Sequence, residues 1–257
     1  MTNFTLPNSN HYFDPLEQFD VIQLFPSISY ALTNLTLILF LNLLIFGFLI
    51  YATIYPNQSH STSPSVVGDL VRNIYEMLAN LAESNIRLSK QVYFPILFYI
   101  FLLILISNLV GMIPFSYTVT SSFVFTFYIA LALFTGINLI GIYQHAYSIF
   151  AFGVPTGSPL ILAPLIAAVE FISYFSQIFS LSIRLFANMM AGHTLLKILI
   201  GFSWVMLNSQ AALILFSALP WIVVTLVMGL EFVIAMLQAY VFVVLISLYI
   251  NDVVVLH

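Results

Sequence analysis

The sequence predicts an all-α integral membrane protein of about six helices. Three observations carry this. Of 257 residues, 62% are hydrophobic and only 5% are charged; the mean hydropathy is +1.10; and the apolar runs are continuous and of bilayer-spanning length. Soluble domains carry about 25% charged residues, so a soluble fold of this composition would lack the polar surface to cover its core. A membrane β-barrel would show alternating segments of ~10 residues instead. The formal net charge of −4 is small and says little about partners, and the absence of cysteine excludes disulfide and thiol chemistry. No Lys or Arg precedes Arg72, which argues against an ordinary signal peptide or an Arg-rich transit peptide.

Residues 1–29, with Asp14, Glu17 and Asp20, read as an extramembrane arm, and residues 30–257 as a single integral membrane domain. A charge-free run over 30–55 matches a ~30 Å hydrocarbon core at ~1.5 Å rise per residue. "PNQSHSTSPS" (56–65) is a linker. Over 66–91, Val67, Leu70, Val71, Ile74, Met77, Leu78, Leu81 and Leu88 recur at helical spacing, interrupted by Asp69, Arg72, Glu76, Glu83, Arg87 and Lys90. That pattern predicts an amphipathic helix lying on the membrane surface. Spans over 93–113 and 119–143 form a helix pair, followed by "QHAYSIFAFGVPTGSP" as a loop or shallow segment.

Two apolar runs, 160–202 and 211–250, are each about twice as long as a span requires. Pro164 and Pro220 could break them, yet neither run contains the polar linker that two separate spans would need. The expectation is a long, strongly tilted two-helix hairpin packed on a partner surface. Arg72, Arg87 and Lys90, three of the five basic residues, lie between the first and second spans. The positive-inside rule then puts that segment inside, the N-terminus outside and, after five crossings, the C-terminus inside.

Few ionisable groups remain in the last two runs: Glu170, Arg184, His193, Lys197, Glu231 and Asp252. A charge at mid-membrane costs about 2.5 kcal/mol or more, so each needs a reason. Lys197 can snorkel from a helix end, and Asp252 can be interfacial. At about 100° per residue, Glu170, Ser173, Gln177, Ser180, Arg184 and Asn188 share one face of a helix, and Glu231, Gln238 and Asp252 share a face of the next. One antiparallel register sets Arg184 against Gln238, Glu170 against Asp252, and His193 near Glu231. Two acids then cluster at the inner end, and an imidazole with an acid toward the outer end. Such groups pass protons on. Arginine, with a pKa above ~12, does not. Two proton-accessible ends separated by a fixed cation describe two half-channels with a block between them. His193 lies nine positions beyond Arg184 and falls on the opposite face of an ideal helix, which calls for distortion near Gly192 or a path that curls around the helix.

The stretch "SLSIRLFANMMAGH" (180–193) resembles the hallmark of the ATP synthase subunit a family; "LQAYVF" (237–242) and "NLVGMIPFSYTVTS" (108–121) resemble two further signatures. The likeness runs from the first span onward. The combination of His193 with Glu231 resembles the mitochondrial form, and "ANMMAGHTLLKIL" resembles plant, algal and protist versions. The resemblance implies a stator subunit whose hairpin packs on a rotor ring of c subunits, alongside a peripheral-stalk subunit b and other membrane-sector subunits. It implies that Arg184 faces the carboxylate of each passing c subunit, that protons reach the ring from the intermembrane side through His193 and Glu231 with Asn188 and Gln238 assisting, and that they leave to the matrix by Glu170 and Asp252. Ser173, Gln177 and Ser180 would support that stripe. It further implies the mitochondrial inner membrane and protons as the transported ion. No cofactor, nucleic acid or metal is expected; His193 and Glu231 could together ligate a metal, but two ligands without a cluster are weak evidence for one. No glycine-rich phosphate loop is present, so nucleotide binding and catalysis are expected elsewhere in the complex. A proton-coupled secondary transporter would show inverted repeats and broken helices, and neither is evident. A non-catalytic membrane subunit of a respiratory complex leaves the shared register unexplained.

Overall fold

A computed structural model describes residues 19–23, 33–54, 66–86, 90–113, 116–145, 163–207 and 218–254. The helices are α1 (Asn34–Ile54), α2 (Val66–Asn85), α3 (Lys90–Gly111), α4 (Phe123–His145), α5 (Ala163–Leu207) and α6 (Ala218–Val254), with a 3₁₀ turn at Val119–Ser121. The chain is an all-α membrane protein, as its composition dictates. Most of the arm (1–29), the 56–65 linker and most of the 144–159 segment lie outside the described residues.

Local chemistry explains where the helix ends depart from the sequence reading. α1 starts at Asn34, later than residue 30, because Thr33 and Thr36 cap it reciprocally: the Thr33 amide donates to Thr36 Oγ1 (3.0 Å) and the Thr36 amide to Thr33 Oγ1 (3.4 Å). Asn34 ties residues 20–22 to this end, donating to the Asp20 carbonyl and accepting from the Ile22 amide. The amphipathic helix stops at Asn85, short of residue 91, and Lys90 belongs to α3. Residues 119–121 do not begin the α4 span. They form the 3₁₀ turn, since Thr118 donates to Ser121 Oγ and Ser121 Oγ donates to the Thr118 carbonyl, the local bonding by which Ser and Thr compete with α-helix.

α2 is amphipathic, as its spacing predicts. Val71, Leu78, Leu81 and Ala82 are buried, while Arg72 and Glu76 face outward as an i,i+4 ion pair at 3.0 Å. That pair is well exposed and adds little to stability. Its fixed point is the far end, where Asn85 Nδ2 donates to Ser247 Oγ of α6 at 2.7 Å.

α3, α4, α5 and α6 pack around one core in which Leu97, Ile104, Leu185, Phe242, Val243 and Ile246 are almost fully buried. The α3–α6 and α5–α6 seams are close because α6 presents Ala235 and Ala239, both fully buried, and small residues let membrane helices approach. At the turn after α3, a Cβ on Gly111 would lie 2.7 Å from Thr118 Cγ2 and 3.5 Å from its Cα. The neighbour there is a buried side chain close to its own backbone, so it cannot swing away. Gly111→Val is therefore expected to destabilise the subunit by about 1–3 kcal/mol, read as a lower yield of assembled complex; an unchanged yield and melting temperature would refute this close contact.

α5 and α6 are unbroken. Pro220 lies in the first turn of α6, where the missing N–H has no intrahelical partner in any case, and Pro164 stands at the start of α5 for the same reason. The apolar segments Ile172–Leu207 and Leu219–Val254 are each 36 residues long, or about 54 Å. Keeping them within a ~30 Å hydrocarbon layer requires a tilt of about 55°, beyond the ordinary range of up to ~40°. α3 and α4 cross at conventional length, with apolar windows of 20 and 21 residues.

Candidate functional site

Two contacts fix the register of the hairpin. Asn188 Nδ2 of α5 donates to Gln238 Oε1 of α6 at 3.0 Å, and His193 Nε2 lies 3.4 Å from Glu231 Oε1. Further along, Gln177 and Ile178 face Ile246 and Tyr249. The two polar stripes therefore meet. Gln238 is bonded to Asn188, one turn beyond Arg184, rather than standing opposite the arginine. Amide–amide bonding satisfies two polar groups that apolar neighbours would strand. Continued down the antiparallel pair, this register brings Glu170 level with the end of α6, within a turn of Asp252. The side chain of Glu170 itself is outside the described residues.

Burial divides the site into two environments. Glu231 and Gln238 are 4% and 3% exposed. Ser173, Ser180, Asn188 and Asp252 are exposed, and Gln177 and Arg184 are half-buried. No carboxylate among the described residues lies within ion-pair distance of the Arg184 guanidinium. Tyr249 is within electrostatic reach of both Arg184 and Asp252.

At 3.4 Å His193 and Glu231 are in ion-pair contact, yet no hydrogen bond closes between them. His193 Nε2 and both Glu231 carboxylate oxygens are buried without a hydrogen-bond partner, as is Gln238 Nε2. A buried polar atom left unsatisfied costs about 1–3 kcal/mol, so a cluster of four marks a place built for something that comes and goes, such as water and protons.

Gly192 resolves how His193 reaches this cluster. α5 runs through Gly192 without interruption. A Cβ at Gly192 would stand 2.7 Å from Glu231 Oε1 and 3.0 Å from its Cδ. The absent side chain is the groove through which Glu231 crosses the face of α5 to His193, so neither a kink nor a detour is needed. On the other flank, Asn108 of α3, fully buried, donates to the carbonyl of Ala235, one turn beyond Glu231. Asn108 and Tyr249 are not among the site residues expected from the sequence, and Gly192 is expected there only as a point of helix distortion. Gly192 stands inside "AGH", and its significance depends on what faces it.

The site is thus a largely buried imidazole–acid pair and a half-buried arginine with no carboxylate partner among the described residues, on two long, tilted membrane helices: a membrane protein equipped to handle protons. The chain belongs to the ATP synthase A chain family, whose model matches residues 30–251. It is 44% identical to the ATP synthase subunit a of Chondrus crispus over 247 residues, covering 95% of this chain and 96% of that one. It is also 40% identical to that of Marchantia polymorpha over 250 residues, covering 95% and 98%, and 41% identical to that of Acanthamoeba castellanii over 247 residues, covering 94% and 97%.

Proposed function

We propose that the chain is the proton-translocating stator subunit of a rotary ATP synthase in the mitochondrial inner membrane, N-terminus on the intermembrane side and C-terminus in the matrix. It forms two offset half-channels against a ring of c subunits and does no nucleotide chemistry itself. The observation that carries this reading is Arg184: half-buried, without an acid of its own among the described residues, and set on an open helix face. Around it Ser176, Ser180, Ala187 and Ala191 are exposed. Small residues at that spacing suit a helix that a partner must approach closely. The counter-charge of Arg184 then arrives on each passing ring carboxylate.

The geometry supports one assignment of roles. His193 and Glu231, with Asn188 and Gln238 beside them, hand protons from the intermembrane side to the ring. Glu170 and Asp252 receive them toward the matrix, with Ser173, Gln177 and Ser180 lining the way. Arg184 keeps the ring carboxylate ionised as it passes and carries no proton between the two sides. A ring carboxylate must be neutral to face lipid, so rotation in one sense is tied to proton flow. Partners on this reading are the c ring, subunit b and other membrane-sector subunits.

The chain should co-purify with a multi-copy ring of small carboxylate-bearing subunits; a pure, proton-conducting preparation without such a ring would overturn the reading in favour of a self-contained transporter. In the assembled complex, Glu231→Gln removes the proton acceptor but keeps the shape, and should slow proton flow about 100-fold without opening a leak. An unchanged rate would remove Glu231 from the path.

A further inference from the structure

The two stripes leave a gap on the matrix side. Glu170 precedes Arg184 by 14 residues on one unbroken helix, about 21 Å at 1.5 Å per residue. Protons move between groups at hydrogen-bond distance, about 2.7–3.2 Å, so this interval needs intermediate carriers. Two tyrosines occupy it. Tyr174 lies one turn beyond Glu170 on the same helix face, with Gln177 a turn further on. Tyr249, on the Glu231–Gln238 face of α6, is the group that feels both Arg184 and Asp252. A small, almost wholly apolar cavity lies where Gln177 faces Tyr249, walled by Phe134 and Ile137 of α4, so the two polar side chains at its edge are the groups there able to carry a proton. Tyr174 is held on two sides. Its hydroxyl donates to Asn138 Oδ1 of α4, and its ring packs on Phe134 at 4.1 Å between centroids.

We propose that Tyr174 and Tyr249 extend the matrix-side proton path between Glu170, Asp252 and Arg184, and that Asn138 is a positioning residue that fixes the Tyr174 hydroxyl. This rests on the stator reading above. A phenol is donor and acceptor at once: it takes a proton from one neighbour on its oxygen and releases its own to the next, and the number of protons and the charge are unchanged. At rest the single O–H of Tyr174 is held on Asn138 Oδ1 with the oxygen lone pairs open; when the oxygen accepts a proton, the original O–H turns from Asn138 to donate to the next carrier, so protons and charge are conserved.

The test uses the whole complex reconstituted in vesicles, with Tyr174→Phe, Tyr249→Phe and Asn138→Leu, and Arg184→Ala alongside. Phenylalanine keeps the ring contacts and removes only the hydroxyl. Each Phe variant should assemble normally, lower ATP-driven proton pumping three- to tenfold, and raise the H₂O/D₂O rate ratio, which a purely structural defect would leave unmoved. Asn138→Leu should reproduce Tyr174→Phe, and the double variant should be no worse than either single one. If Tyr174→Phe does not assemble, Asn138→Ala, which keeps the tyrosine and frees its hydroxyl, takes its place. Wild-type pumping and isotope ratio in the Phe variants, with Arg184→Ala uncoupled, would overturn this inference alone. Normal pumping by Arg184→Ala would overturn the stator reading beneath it.

Discussion

Arg184→Ala is expected to abolish ATP-driven proton pumping while leaving the complex assembled, and to raise the passive proton conductance of vesicles that contain it. The two halves of this prediction have separate causes. Breaking a buried ion pair usually costs about 3–5 kcal/mol, because it strands the partner charge. Among the described residues Arg184 has no carboxylate partner within 4 Å to strand, and it is only half-buried. Its removal should therefore leave the subunit folded. The functional loss has another origin. An ionised carboxylate facing a low-dielectric surface is stabilised by a nearby guanidinium, and without it the carboxylate stays protonated past the point where it should release. Each proton driven through 100 mV carries about 2.3 kcal/mol, so on the proposed stator reading a ring that slips past with its protons in place dissipates that energy on every step. Arg184→Lys separates charge from geometry. Lysine is a compact point charge whose pKa shifts readily when buried, and it should restore only a small part of the pumping. Coupled pumping at the wild-type rate in Arg184→Ala would refute the gate.

Much of this architecture is legible in the sequence, and the remainder is not, for identifiable reasons. The long hairpin follows from arithmetic on run length, and its facing stripes follow from helical periodicity. The pairing of His193 with Glu231 is present as the register requires, at 3.4 Å. The register is read less finely: Gln238 pairs with Asn188, because polar residues one turn apart on α5 share nearly the same direction and periodicity alone does not choose between them. The 3₁₀ turn at Val119–Ser121 is hidden because Thr118 and Ser121 are isolated polar residues whose effect depends on bonds they make locally. Pro220 looks like a break only while the start of α6 is placed too early. Tyr174 and Tyr249 share the faces of the polar stripes, but tyrosine in an apolar run reads as packing until its hydroxyl partner on another helix, Asn138, is seen. Gly192 is least legible of all, since a glycine contributes only space, and the value of space depends on the atom that fills it.

That space supplies the second large effect. Gly192→Val is expected to lower proton flow by about 100-fold with little loss of assembled complex. A Cβ here would meet Glu231 Oε1 at 2.7 Å, Cδ at 3.0 Å and Cγ at 3.3 Å. What it meets is the end of a flexible side chain, not backbone, so the clash is relieved by moving the carboxylate rather than the helices. Moving it takes Glu231 off the line to His193, where the separation of 3.4 Å is already just outside hydrogen-bond reach and a further shift breaks the contact. A misplacement of about 1 Å at a reacting group costs about 100-fold in rate. Gly192→Ala adds only the Cβ and should fall between wild type and valine. Gly192→Val combined with Glu231→Asp tests the cause, because a carboxylate shorter by one methylene withdraws from the added side chain. Gly192→Val should therefore cost less in the Glu231→Asp background than in the wild type. An equal cost in the two backgrounds would show that Gly192 acts through helix packing, and not by making room for Glu231.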